Sequence, residues 1–381
     1  RLHPSDQRNI EKPKNWLDYP YPFTYGQVDH QLFPIAAWRE CSRQALGRKA
    51  MDAWTGDAHS VDDADLVHQI RTRLLPRRGI LAREDEILIT LGSQNAIYLL
   101  STLLTTDQSV VGIEDPGYRD AWNIFRLRTQ NMRPIPVDSN GLPVDERLDE
   151  CDYVFVTPSH QSPTTVTLPI DRRRALLDKA RDNDFVIIED DYEFESSYLK
   201  EPTPALKSMD RDGRVIYVGS LSKSLFPGLR LGFMVAPAPL IAEARALRRL
   251  ILRHPPANNQ HTAALFLSLG HHDALLSRLH RTNRNRWEKM RMALDRYLPH
   301  SANAPTFGGT SFWVRGPEEL DASKLARAAL DHGLILEPGE ICFFRPDPPK
   351  NYFRLGFSSI PPDQIEPGIK LLARLIDETI A

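Results

Sequence analysis

The sequence contains one lysine in a setting that could make its amine reactive. The segment VGSLSKSLFPGLRLG spans residues 218–232. Lys223 follows its apolar start, with Ser220 and Ser222 just before it. Arg230 comes seven residues later. Desolvation and neighbouring cations lower the pKa of a lysine and leave a nucleophilic amine. Because hydroxyls and a guanidinium suit a phosphate, the segment predicts a phosphate-plus-amine site.

A second phosphate-binding element is predicted at the start of a helix. Gly92, Ser93 and Gln94 follow the apolar strand 86–91 and open the next helical segment. The free N–H groups and the positive dipole end of a helix N-terminus suit a phosphate. The same residue types are also typical of an ordinary helix cap, so this motif alone is weak evidence.

Two more predicted strand ends carry an aromatic residue and a run of acids. Tyr118 follows the turn 114–117, where its ring could cover a flat ligand. The run EDDY at 189–192 follows the apolar strand 185–188. No histidine or cysteine accompanies these acids at the spacing of metal ligands, so we expect no metal there.

The elements that must position these residues form an α/β pattern. Seven short apolar strands, mostly separated by helices, are predicted at 86–91, 109–113, 133–137, 153–157, 185–188, 214–218 and 231–235. Such strands indicate a mostly parallel sheet that is covered on both faces. Ligands of these sheets bind at the carboxyl ends of the strands, so we expect the four polar segments to meet there.

The chain is expected to divide into an arm and two domains. Residues 1–30 are rich in proline, tyrosine and polar residues and predict an extended arm or linker. We assign 31–60 to the N-terminal part of a small domain or to an interface. The large α/β domain is predicted over 61–265, and a long helix with a small α+β domain over 266–381.

One cofactor uses all of the groups that the four segments supply. Pyridoxal 5'-phosphate needs a phosphate cradle, a cover for its ring and an amine that forms a Schiff base with its aldehyde. It also needs a carboxylate that keeps its pyridine nitrogen protonated. The sequence therefore predicts a pyridoxal-phosphate site.

These residues also resemble a known family, the fold-type I pyridoxal-phosphate enzymes of the aspartate-aminotransferase-like class. The resemblance runs from about residue 30 to the C-terminus. Its most specific motif is Ser-x-Ser-Lys at 220–223 followed by Gly-x-Arg-x-Gly at 228–232. The resemblance implies a large domain with a mostly parallel seven-stranded sheet, a smaller α+β domain, and a homodimer with the site between two subunits.

The resemblance assigns a role to each candidate residue. Lys223 is implied to be the Schiff-base lysine and the catalytic residue. Asp190 is implied to bind the pyridine nitrogen, Tyr118 to stack on the ring, and Arg354 to clamp a substrate carboxylate. The implied phosphate contacts are Ser93, Gln94, Ser220, Ser222 and Arg230, and the implied contacts to the ring hydroxyl are Tyr192 and His160.

The chain departs from the family pattern at three places, one of which is the sequence AHSVD at 58–62 in place of the usual Pro-x-Gly. Ordinary members carry an Asn-Pro-x-Gly turn whose asparagine contacts the ring hydroxyl. This chain has Ser159, His160 and Gln161 in that region, and Thr165 stands where a glycine usually ends the motif. Either His160 or Gln161 could take the role of the asparagine. Trp54 stands where many relatives carry a tyrosine that reaches the partner subunit's phosphate, and tryptophan has no hydroxyl.

Within this family, three stretches resemble the MocR-type transcription regulators of the GntR superfamily. They are QLFPIAAW at 31–38, TPSHQSPT at 157–164 and EDDYEFE at 189–195. The resemblance implies an effector domain in which an amino compound displaces Lys223 and forms an external aldimine. DNA would be bound only through an N-terminal winged helix-turn-helix domain that these residues do not include. A working aminotransferase, with Lys223 as general base, is the alternative.

Composition excludes several other classes. A net charge of -2 over 381 residues gives no global attraction to nucleic acid or to an anionic membrane. No apolar run has the length of a membrane span, and no G-x-G-x-x-G turn follows the first strand. Three scattered cysteines form no disulfide framework, so a cytoplasmic location is expected. His254, His271 and His272 are predicted to be solvated.

Overall fold

The computed structural model describes residues 12–57, 59–303 and 307–381. Its strands are β1 (Tyr21–Pro22), β2 (Ile87–Thr90), β3 (Val111–Asp115), β4 (Met132–Pro136), β5 (Tyr153–Val156), β6 (Val186–Asp191), β7 (Val215–Ser220), β8 (Gly232–Val235), β9 (Ala302–Asn303), β10 (Ser311–Arg315), β11 (Leu334–Ile335), β12 (Glu337–Pro338) and β13 (Tyr352–Gly356).

The α-helices of the described residues are α1 (Ile35–Ala45), α2 (Met51–Thr55), α3 (Ala64–Gln69), α4 (Ser93–Leu104), α5 (Arg119–Arg126), α6 (Ile170–Asp182), α7 (Leu206–Met209), α8 (Ala238–Leu252), α9 (Ala257–Ser268), α10 (His271–Tyr297), α11 (Ala322–Asp331) and α12 (Ile365–Ile380). Within the described ranges, no helix has both the length and the apolar character needed to cross a bilayer.

A seven-stranded sheet forms the centre of the large domain. Its strand order is β2-β8-β7-β6-β5-β3-β4, and β8 runs antiparallel to both of its neighbours. The other pairs are parallel. The predicted mostly parallel seven-stranded sheet is therefore confirmed, and each predicted strand overlaps one of its strands.

The strands of this sheet are buried because side chains on both faces pack against helices. Leu88 of β2 packs into a cluster with α4, α5 and α8, whereas Ile87 and Ile89 pack into a cluster with α3 and α9. Successive side chains of a strand point to opposite faces, so a strand that is covered on both faces must be apolar throughout. This geometry leaves the strand ends as the places where polar residues can meet.

The small domain packs helices on a four-stranded sheet of order β12-β13-β10-β9. Its core includes Phe312, Phe353 and Ile369, together with Met290 from the second half of α10. The first half of α10 contributes Leu275 to a cluster of the large domain. This 27-residue helix therefore joins the cores of both domains.

The N-terminal segments pack closely on both domains. Tyr21–Pro22 of the predicted arm pairs in parallel with Leu334–Ile335, and Phe23 is fully buried in the core of the small domain. Trp38 of α1 packs against Phe226 and Phe266 of the large domain. Helix α1, which lies in the range 31–60 assigned from the sequence to a small domain or an interface, thus contacts the large domain.

We predict that the two glycines of the 228–232 motif differ in their effect on stability. A Cβ on Gly232 would lie 2.8 Å from the backbone of Gly92 and 2.9 Å from the oxygen of Gly219. The nearest atom to a Cβ on Gly228 would be a ring carbon of Phe226, at a distance of 3.9 Å. Overpacking of this kind costs about 2 kcal/mol. Gly232→Ala should lower the free energy of unfolding in urea by that amount, and Gly228→Ala should leave it within about 0.5 kcal/mol. Equal effects of the two changes would contradict this account.

Candidate functional site

A cavity of about 230 Å³ lies at the carboxyl ends of β6 and β7, between the two domains. Ten of the eleven residues predicted from the sequence line it, namely Ser93, Gln94, Tyr118, Asp190, Tyr192, Ser220, Ser222, Lys223, Arg230 and Arg354. They come from loops that are far apart in the chain. The sheet and the docking of the small domain bring them to one place.

Three consecutive acids end β6, and the alternation of the strand separates them. Glu189 accepts hydrogen bonds from the backbone N–H groups of Leu206 (2.9 Å) and Lys207 (2.8 Å). Asp191 accepts hydrogen bonds from Arg78 Nε (2.7 Å) and from the hydroxyl of Tyr217 (2.9 Å). Both carboxylates therefore have structural partners on the side of the sheet away from the cavity.

Asp190 points to the other face and lines the cavity. It is 2 % exposed, and its Oδ1 has no hydrogen-bond partner among the described residues. Burial, reinforced by the nearby charge of Asp191, raises the pKa of Asp190 from 3.8 to about 8. A buried acid of this kind lacks a partner that is positively charged or donates a hydrogen bond.

Other residues of the cavity lining offer donors for an anion. Gly92 has φ 81°, which turns the chain from β2 into α4 at Ser93. Arg230 lies against this turn and donates from Nη2 to the oxygen of Leu91 at 3.0 Å. Ser222 has a buried hydroxyl without a partner among the described residues. A helix N-terminus, a guanidinium and free hydroxyls together could hold a phosphate.

Lys223 also lines the cavity. Its Nζ is 4.1 Å from the ring centroid of Tyr25 and 6.0 Å from that of Tyr192. Burial is the main cause that lowers the pKa of Lys223 from 10.5 to about 8, and the charges of Lys12 and Arg354 lower it further. A useful fraction of the amine is therefore neutral, and hence nucleophilic, near neutral pH.

Tyr25 is a residue of the site that the sequence analysis missed. It belongs to the predicted arm, yet it lines the cavity and is 9 % exposed. Its hydroxyl donates to Glu193 Oε1 at 3.2 Å, and its ring lies 3.8 Å from the guanidinium carbon of Arg354. The signal in the sequence is Gly26, which has φ 77° and at which a Cβ would lie only 2.9 Å from Lys223 Nζ.

Arg354 is paired with a buried acid. Its Nε and Nη2 donate to Glu337 Oε2 at 3.1 and 2.7 Å. Lys12 Nζ lies 2.9 Å from the other oxygen of Glu337. Burial disfavours the charge of Arg354, but Glu337 outweighs this effect and the pKa of Arg354 lies above its ordinary value. The carboxylate clamp implied by the resemblance is therefore one member of a charged group of three.

The structure places His160, which was predicted to contact the ring hydroxyl, outside the cavity lining. His160 is 2 % exposed, and its Nε2 faces the hydroxyl of Ser197 at 3.4 Å. Gln161 does not take its place, since its Nε2 donates to the oxygens of Pro116 and Ser162, each at 2.8 Å. Ser162 lines the cavity instead.

The sequence did contain a signal for Ser162. Thr165 stands where a glycine usually ends the Asn-Pro-x-Gly turn, and counting back three residues gives Ser162, directly before Pro163. Thr165 has φ 63°, a left-handed conformation that favours glycine. The backbone therefore keeps the shape of the turn while the side chains differ.

His272 also differs from the prediction that it is solvated. It is 1 % exposed, and its Nε2 lies 3.3 Å from both Glu195 and the hydroxyl of Ser224. This contact fixes the start of α10 behind Lys223. Trp54, at the end of α2, is half-buried and is not part of the cavity lining of this single chain.

One group of side chains outside the cavity has the arrangement of possible metal ligands. Ligand atoms of Asp63, Asp65 and His261 lie within 4.8 Å of one another. Asp63 already accepts a hydrogen bond from Leu66 N as the N-cap of α3, and Asp65 is exposed. Exposed acidic groups of this kind are common without a metal, so we assign none.

Comparisons with known proteins agree with this geometry. The model of the family "Aminotransferase class I and II" matches residues 27–372. The chain belongs to the aminotransferase class I and II family. Membership in this family implies pyridoxal phosphate as the cofactor. The unpartnered Asp190, the amine of Lys223 and the donors near Arg230 fit that group.

Two regulators and one enzyme structure illustrate the range of similar proteins. The chain is 44 % identical to the HTH-type transcriptional regulator TauR of Rhodobacter capsulatus, over 94 % of this chain and 74 % of that protein. It is 30 % identical to the probable rhizopine catabolism regulatory protein MocR of Rhizobium meliloti, over 92 % and 71 %. The kynurenine aminotransferase structure from Pyrococcus horikoshii matches with a TM-score of 0.88 and 29 % identity, over 96 % and 92 %.

We predict that Arg78 stabilises this aminotransferase fold through Asp191. The Arg78 side chain is 2 % exposed, so Arg78→Leu would leave the carboxylate buried without its ion-pair partner. The free energy of unfolding should fall by about 3–5 kcal/mol. Arg83→Leu, which changes an exposed ion pair, should leave the free energy of unfolding nearly unchanged in the same denaturation series. A loss below about 1 kcal/mol for Arg78→Leu would refute the pairing argument.

We predict a pH-dependent contribution of Asp190 to stability in protein that has been freed of pyridoxal phosphate. Its folded pKa, about 8, lies above its ordinary value of 3.8, so the folded chain holds this proton longer than the unfolded chain. The contribution is present below pH 4 and is lost as pH rises from about 4 to 8. Across this range, thermal melts should show wild type losing stability relative to Asp190→Asn. A difference that is flat or rises with pH would contradict the burial argument.

Proposed function

We propose that this chain is the pyridoxal-phosphate-binding effector domain of a MocR-type transcription regulator that senses an amino compound. The observation that carries the proposal is the 44 % identity to a transcription regulator across 94 % of the chain. A cavity lined by a lysine, an unpartnered acid and anion donors supports the cofactor part of it.

Pyridoxal phosphate, when bound, supplies an aldehyde that condenses with amines and a ring that accepts electrons. In this proposal Lys223 attaches the cofactor through its amine, and Asp190 accepts a hydrogen bond from the pyridine nitrogen. Ser93, Gln94, Ser220, Ser222 and Arg230 hold the phosphate, Tyr118 covers the ring, and Tyr192 contacts the ring hydroxyl. Ser162 replaces His160 as the second candidate for that hydroxyl, because it lines the cavity.

Sensing requires that the effector prefer one arrangement of the protein. An effector amine that takes the place of Lys223 leaves that side chain free to move. Lys223 is joined in sequence to Ser224, which contacts His272 at the start of α10. Because α10 joins the cores of both domains, a shift at Lys223 can alter how the domains sit together.

A working aminotransferase is the second candidate function. Lys223, once released, could hold and move a proton as general base, and its pKa of about 8 suits that role. The similarity in fold to an aminotransferase structure supports this candidate. The residues of the cavity serve both functions equally well, so the rate of turnover must decide.

The partners follow from the same proposal. DNA would be bound by a winged helix-turn-helix domain outside these 381 residues, and the chain would form a homodimer that covers the exposed Arg230. The three cysteines are free and buried, as expected for a cytoplasmic protein.

We predict that amines will change the absorbance of the pyridoxal-phosphate-loaded protein without sustained product formation. The assay titrates wild type with a panel of amino acids and amines, then adds a keto acid and follows amino-group transfer. A regulator should turn over at least about a hundredfold below the typical enzyme rate of about 10 s⁻¹. Lys223→Ala should lose the absorbance band of the attached cofactor. Robust turnover would favour the aminotransferase, and no response to any amine would reject both candidates.

A further inference from the structure

We infer that Lys12 supplies the positive charge that makes the cavity selective for an effector with one acidic group, and that it thereby couples the N-terminal arm to the effector. The inference rests on the proposed function and names the class of effector, an amine that carries a single carboxylate or similar monoanion. Three residues carry the argument: Lys12, Arg354 and Glu337.

Glu337 cancels the charge that Arg354 would otherwise offer. The Glu337 side chain is 2 % exposed and that of Arg354 is 8 % exposed, with a shortest N–O distance of 2.7 Å. Burial raises the pKa of Glu337, but Arg354 and then Lys12 lower it below its ordinary value, so the carboxylate is charged. A guanidinium has five N–H donors, of which two are used for Glu337. Arg354 can still orient an acid group, but the pair has no net charge to attract one.

Lys12 restores a net positive charge at this place. Its Nζ lies 2.9 Å from Glu337 Oε1 and donates to the backbone oxygen of Tyr25 at 2.5 Å. A Cβ on Gly26, which lines the cavity, would lie 3.9 Å from Lys12 Nζ, so this amine lies beside the cavity. Within the group of Lys12, Arg354 and Glu337, two cations and one anion leave a single positive charge, which matches one acidic group. In a partly dehydrated site, an amide or plain amine would gain nothing from it.

The position of Lys12 depends on the docked arm. Glu337 accepts a hydrogen bond from Tyr25 N at 3.1 Å, and the oxygen of Phe23 accepts one from Gly356 N at 3.0 Å. A Cβ on Gly356 would lie 2.5 Å from the backbone of Thr24 and Tyr25, so this glycine permits the close approach of the arm. If docking of the arm favours binding of the acid, binding of the acid must favour docking of the arm by the same factor.

The first experiment measures acid selectivity in the pyridoxal-phosphate-loaded protein. The probes are L-alanine and β-alanine, each compared with its amide, and binding is followed by absorbance. Wild type should prefer the acid over the amide by at least about tenfold, the usual scale of one charge-assisted contact. Lys12→Met should reduce the preference to less than about threefold. Lys12→Arg should restore it, and Lys14→Met, an exposed lysine of the same arm, should leave it unchanged.

Glu337→Gln provides the opposite change. It removes the cancelling negative charge, so acid binding should tighten by about tenfold and should depend less on Lys12. Glu318→Gln, whose side chain is 85 % exposed, is the matched control. Retention of the wild-type preference in Lys12→Met, or weaker acid binding in Glu337→Gln with an unchanged far-UV spectrum, would overturn the inference.

A second experiment separates this inference from the proposed function. Acetate, propionate and butyrate cannot condense with an aldehyde, so at constant ionic strength they test the anion site alone. These acids should raise the melting temperature of wild type more than their amides do. They should also slow hydrogen exchange at 21–26 more than the amides do. Lys12→Met should abolish both differences. If amines bind but acids and amides act alike, amine sensing stands and the inference falls. If the plain acids act but amines do not bind, the inferred anion site stands and amine sensing falls.

Discussion

The site depends on one buried carboxylate, that of Asp190, whose Oδ1 has no hydrogen-bond partner among the described residues, whereas its two neighbours accept hydrogen bonds. Alternation along β6 directs Asp190 to the cavity and Asp191 to the opposite face, where Arg78 lies 2.7 Å away. An unpaired charge at this depth is costly, and the high pKa of Asp190 reflects that cost. A cationic heterocycle that binds beside it removes this cost, so the fold itself favours a protonated pyridine ring.

Residues from three parts of the molecule lie in or beside the cavity. The large domain contributes the candidate anion-binding donors and Lys223, the small domain contributes Arg354, and the arm contributes Tyr25. Glu337 and Lys12 pair with each other beside this lining. Each part has its own packing, and α10 joins two of them. A ligand that contacts all three parts can therefore influence how they sit relative to one another. This property suits a sensor, and it is equally compatible with an enzyme that closes on its substrate.

The sheet and most of the cavity lining could be predicted because they are set by local patterns. Apolar strands of four to six residues predict a sheet covered on both faces, and polar residues at their ends predict a site there. His160, Gln161 and Ser162 could not be sorted in this way. Neighbours in a loop share composition, and only the turn ending at Thr165 decides which side chain points inward.

The sequence by itself determined the α/β fold, because short apolar strands separated by helices are a local pattern. Through its resemblance to a known family it also determined the family and the cofactor, and it predicted Lys223 as the reactive lysine. The tertiary structure alone decided that the arm docks beside Gly356, that Glu337 pairs with Arg354 and that His272 is buried. These contacts join residues far apart in the chain. Burial makes the pairing of Glu337 with Arg354 necessary, because each charge would otherwise be left without water or a partner. The spacing of residues in the sequence does not show which charges folding will bring together.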